Sequence, residues 1–153
     1  MAFIIKKDII KQHQETTQEF THQETGFVAS FRSISHKDFQ RAWAVVAQNT
    51  NYTALSMANI KDVNHDELTQ DEALGYAIGE HLIADWNVED ENGKLDITGD
   101  NFSMVLASVD DHKGLVLWCL GCAEEVAKTI RKQATELAKK PSKGGDGNKT
   151  TKN

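Results

Sequence analysis

Two cysteines separated by two residues, Cys119-Leu120-Gly121-Cys122, are the feature of this chain that comes nearest to a reactive motif. Such spacing brings both sulfurs to one side of a helical turn, where they can act as a redox pair or as half of a zinc site. Redox chemistry wants a strand before the pair and a helix that opens at the first Cys, so that free amides stabilise a thiolate. Here the apolar stripe begins at Leu115, which puts Cys119 inside a helix. Zinc needs two further ligands, and His81 and His112 are the candidates. The plainer expectation is that both Cys fill a helix face as small hydrophobes. His13, His22, His36 and His65 lie in polar stretches with no paired nucleophile and read as surface residues.

A second candidate is WNVEDENGKLDIT, residues 86–98, an acidic stretch around an Asn-Gly pair. As a calcium loop it would place Gly93 sixth, which puts Val88 at the first ligand position and Gly99 at the twelfth, where a bidentate Glu is required. Calcium fails at both. General acid/base work needs carboxylates in contrasting environments, whereas Glu89, Asp90 and Glu91 are consecutive and face water. Asn92-Gly93 is a favoured type I′ turn pair, with Val88 and Leu95 flanking it. The stretch is expected to be a turn joining two helices, and Trp86, Asn92 and Gly93 to be structural. No catalytic constellation is present in this reading: the chain is expected to be no enzyme and to need no cofactor or metal.

The elements that hold these residues can be placed by periodicity. GFVASFR alternates Phe27, Ala29 and Phe31 with Val28, Ser30 and Arg32, the pattern of a strand with one buried face. SISHKDFQRAWAVVAQ follows, with Ser35 and Asp38 as a variant capping box ahead of a helix carrying Phe39, Ala42, Trp43, Val46 and Ala47. LTQDEALGYAIGEHLIADW predicts another helix, capped by Thr69 and buried along Leu74, Ile78, Leu82 and Trp86. Thr98 or Asp100 caps a short helix through Phe102 and Leu106. The longest helix carries Leu115, Trp118, Cys119, Cys122, Val126, Ile130 and Leu137. Trp43 and Trp118 are read as structural residues like Trp86. Residues 1–25 offer either a first strand with a polar connector or a weak amphipathic helix.

The resulting fold class is α+β: a mainly α-helical single domain over residues 26–139, with a short N-terminal β element, a polar segment over 1–25 and a disordered basic tail over 140–153. The 153 residues, 39% apolar and 26% charged, suit one soluble domain. A net charge of −6 disfavours nucleic acid as a partner. No apolar run is long enough to cross a bilayer, Lys6 and Lys7 interrupt the N-terminal apolar stretch, and no signal peptide is expected. Two neighbouring Cys fit a reducing compartment, the cytoplasm.

The order of these elements resembles the tail assembly chaperones of long-tailed bacteriophages. FVASFRSISHKDFQRAW is similar to that family's strand and Ser-capped helix. HLIADWNVEDENGKLDITGDNFSMVL resembles its recurring Trp, acidic Gly-containing turn and Leu-bearing helix, and IRKQATELAKKPSKGG its C-terminal helix and Lys-rich end. The likeness spans about residues 26 to 140; the polar N-terminal stretch and the CLGC pair depart from it. It implies a protein that binds the tape measure protein, with the major tail protein as a further partner, and keeps that long helix soluble until the tail tube polymerises. It implies residence in the host cytoplasm and absence from the mature virion. A spare apolar helix face would offer the client replaceable contacts, so Leu115, Val126, Ile130 and Leu137 are the candidate client-binding residues and a homo-oligomer is expected. The alternatives are a non-catalytic helical adaptor or tail-completion protein, and, third, a thiol or zinc enzyme using Cys119 and Cys122.

Overall fold

Alternation along β2 (Phe27–Arg32) organises the sheet: Phe27, Ala29 and Phe31 are buried while Val28, Ser30 and Arg32 stay half-buried. β1 (Thr17–His22) pairs antiparallel with all six residues of β2, from Thr17 opposite Arg32 to His22 opposite Phe27. Facing residues share a side, so Phe20 joins Ala29 on the core face. β3 (Ile83–Trp86) pairs antiparallel on the other edge, giving the order β1-β2-β3. Its register shifts: Asp85 faces Ser30 and Ile83 faces Phe31, which leaves Ala84 as an extra residue. Strict alternation would send Ile83 and Trp86 to opposite faces; the bulge returns both to the core, at 2% and 3% exposure.

The computed structural model describes residues 1–49 and 69–139. Its helices are α1 (Lys7–Glu15), α2 (Lys37–Asn49), α3 (Gln70–Ala77), α4 (Gly99–Ser108) and α5 (His112–Lys139), with a π-helical turn over Ile78–Leu82 between α3 and β3. Thr69 and Glu72 form a full capping box at α3. The Thr98 hydroxyl accepts from the Asn101 N–H at the start of α4, and the Asp111 carboxylate accepts from the Gly114 N–H at the start of α5. Leu115, Cys119, Cys122, Val126 and Ile130 recur along α5 and bury its inner face together with Ala123 and Ala127. That stripe, the inner face of the sheet, Phe39 of α2 and Phe102 of α4 belong to one continuous core. The fold is α+β, as expected from the sequence.

Several local expectations are corrected. The helix read through Trp86 ends at Leu82, and Ile83–Trp86 is a strand. Arg32 supports this exit, its guanidinium donating to the carbonyls of His81 and Ile83 at 3.3 and 3.0 Å. The acidic turn therefore joins a strand to a helix. In residues 1–25 the helix alternative holds over Lys7–Glu15, while the stretch expected to be a polar connector is itself a strand; β1 is zipped to β2 and α1 packs on α5. α2 starts at Lys37, too late for Ser35 to occupy its N-cap. The side chain of Gln14, from α1, instead accepts the Lys37 N–H at 3.1 Å. The expected tail over 140–153 and His65 lie outside the described residues.

Candidate functional site

Cys119 and Cys122 are free thiols on the inner face of α5 at 0% and 5% exposure. Burial pushes both up, Cys119 well above the ordinary thiol range and Cys122 to about 12, with Cys122 adding to the rise of Cys119 and the Glu125 carboxylate to that of Cys122. No thiolate is available from this pair near neutral pH, and the pair packs as core. Among the described residues no three His, Cys, Asp or Glu side chains converge as metal ligands.

The imidazoles of His13, His22 and His36 are not the surface groups expected from their polar neighbours. His13 is buried, with Nδ1 2.6 Å from the Ser33 hydroxyl. Since Ser33 Oγ also accepts the Ser35 N–H, its proton is free to go to His13 Nδ1, an arrangement that suits neutral imidazole. His22 is half-buried with its ring edge-on to Trp118 at 5.0 Å. His36 is half-buried, and its Nδ1 has no partner among the described residues. The sequence signal for His13 was present but faint, a histidine four residues beyond Ile9 on the same helix face.

The acidic stretch forms a small hairpin in which β4 (Glu89–Asp90) pairs with β5 (Gly93–Lys94). Its loop is Glu91-Asn92, so the expected Asn-Gly pair is displaced by one residue. Only Gly93 takes positive φ, +116°, and Asn92 is held by its N–H donating to the Asp90 carboxylate at 2.8 Å. Val88 and Leu95 do flank the hairpin, joined by the Leu95 N–H donating to the Val88 carbonyl at 3.0 Å. The Lys94–Asp85 ion pair beside it is 2.8 Å long but exposed on both sides, which limits its worth.

The expected client face is overturned for three of its four residues. Leu115, Val126 and Ile130 are 0–1% exposed in the core, so they offer nothing to a partner; only Leu137 is at the surface. Periodicity finds the apolar stripe of an amphipathic helix, and that stripe is the face the domain itself buries. Trp86 is buried in the core, and Trp118, half-buried, meets Phe27 and Phe31 edge-on. Trp43 keeps 38% of its surface exposed and touches Phe39.

A surface the sequence reading missed lies on the other side of α5. An open groove of about 770 Å³ runs between α3, α4 and the first turns of α5. Leu74, Leu106, Val116 and Leu117 supply apolar lining, with Leu117 68% exposed. Asp71, Glu72 and Asp100 line it against one lysine, Lys113. Asp100 and Glu80 hold the Tyr76 phenol above its ordinary value, and hydrogen bonds from Thr69 hold Glu72 below its own. The rim is therefore negative at neutral pH. The only sequence trace of this groove is Leu117, an apolar residue off the buried stripe. Comparison with known protein families, with characterised proteins and with solved structures finds no match to this chain.

Proposed function

We propose that the protein is a tail assembly chaperone of a long-tailed bacteriophage, which binds the tape measure protein and keeps it soluble in the host cytoplasm until the tail tube forms. The observation that carries this reading is the open groove with an apolar lining and a carboxylate rim. Such a groove suits one face of an amphipathic helix with basic residues beside its apolar stripe, because burial supplies affinity while the rim orients the client. The order of a strand, a helix, an acidic hairpin and a long C-terminal helix accords with the resemblance noted in the sequence, although Ser35 does not cap that helix. Client binding is placed here on Leu106 and Leu117 instead of the buried residues of α5. The major tail protein is a further partner in this reading.

Co-expression with a tape measure protein tests the proposal. Wild-type protein should keep the client in the soluble fraction, Leu117→Glu should lose most of that effect while melting as wild type does, and truncation after Lys139 should retain it. If Leu117→Glu protects as well as wild type, the groove is not the client site. If wild type does not protect, the chaperone reading falls. Mass spectrometry of purified virions should find the chain absent; a stoichiometric amount would favour a tail-completion role.

A further inference from the structure

The N-terminus of this chain carries an apolar surface of its own. Ahead of α1, Phe3, Ile4 and Ile5 are 93%, 77% and 61% exposed, three consecutive large side chains that no described part of the fold covers. Lys6 and Lys7 follow at once and are exposed as well. The arm is thus apolar and then basic, while the groove is apolar with an acidic rim. A consecutive apolar run left in water is a standing invitation to association. The two surfaces complement one another in polarity and in charge, and both belong to one chain.

We propose that the arm of one copy docks in the α3–α4–α5 groove of a second copy, with Phe3, Ile4 and Ile5 against the apolar lining and Lys6 and Lys7 facing Asp71, Glu72 and Asp100. The second copy is the occupant because in one chain the arm is exposed and the groove open together. α1 packs against α5 and is held through His13 to Ser33, whereas the groove lies at the first turns of α5. Arm and groove are different surfaces, so the contact is heterologous, closing as a reciprocal pair or a ring or continuing as an open filament. The arm and a client helix would then compete for one groove. Arm docking nevertheless does not require the chaperone reading, since it is measured on the purified protein alone.

Light scattering after size exclusion tests this with wild type, a deletion of residues 1–5 and Leu117→Glu, all checked for equal melting temperature. Wild type should associate, each variant should run as a monomer, and an equal mixture of the two should form a 1:1 complex, because one brings an intact groove and the other an intact arm. Carbodiimide coupling of a mixture of labelled and unlabelled wild type gives a second readout that needs no variant. Links from Lys6 or Lys7 to Asp71, Glu72 or Asp100 should join one isotope to the other. A monomeric wild type, a deletion that associates as well as wild type, a mixture that stays monomeric, or links confined to one copy would each overturn the proposal. A failed solubility assay with the tape measure protein would leave it standing, and a monomeric wild type would leave the chaperone reading standing.

Discussion

The indole of Trp86 links two parts of the domain. Its ring is 3% exposed and meets Phe27 edge-on at a centroid distance of 6.4 Å, while its Nε1–H donates to the Leu95 carbonyl at 2.9 Å. It thereby ties the sheet to the chain leaving the acidic hairpin. Trp86→Ala should cost about 3–5 kcal/mol in urea denaturation, the range for truncating a large core ring. Trp86→Phe should cost less, roughly 1–3 kcal/mol, because it keeps most of the packing and orphans one carbonyl. Equal losses for the two would mean that the ring's packing contributes little beyond the hydrogen bond. Residue type gives Trp43, Trp86 and Trp118 equal weight, since it does not say how much of a ring is covered. The cysteines were more legible: their position inside the α5 stripe already implied burial, and the raised thiols follow from it.

At the scale of elements, the starts of α3 and α4 were easier to read than the end of the π-helical turn. Thr69 and Thr98 cap as predicted because a capping hydroxyl and its amide lie within three residues of each other. The exit at Leu82 was not legible, because Leu74, Ile78, Leu82 and Trp86 continue a four-residue period across the boundary. What ends the helix is pairing with β2, more than fifty residues earlier in the chain, and no local pattern reports that. The π-helical turn before β3 packs closely on the start of α4. A Cβ at Gly79 would lie 2.7 Å from the Thr98 carbonyl oxygen and from Phe102 Cβ, and the backbone oxygen has little room to yield. Gly79→Ala should therefore destabilise by about 1–3 kcal/mol despite alanine's better helix propensity. Gly121→Ala, in α5, meets nothing within 4 Å and should stabilise by up to about 1 kcal/mol. Thermal melts of the two variants should move in opposite directions; a matched shift would contradict this account.

Across the whole molecule, the first helix is joined to the body through a histidine that the fold keeps neutral. His13 sits on α1, bonds to Ser33 beyond the end of β2 and lies near Arg131 of α5, so it connects the start, middle and end of the described chain. Burial, and then the Arg131 charge, lower its pKa from the ordinary 6.5. His36 is lowered too, by burial and then Arg32, with His81 adding and Asp38 opposing. The sign follows from linkage: the unfolded chain takes up these protons first, so stability is level above pH 6.5 and falls as pH drops through that value toward the lower folded pKa. The melting temperature should fall on acidification from about pH 8 to about pH 5, within the titration range of imidazole. His13→Gln cannot titrate, and its amide can still accept a proton from Ser33, so its melting profile should be flatter than that of wild type over the same range. Hydrogen exchange should show α1 losing protection before α5 as the pH drops, because protonating His13 sets a charge beside Arg131 and disturbs the Ser33 contact. If wild type and His13→Gln keep parallel profiles, the pH dependence lies elsewhere, and His36→Gln is the variant that would reveal it.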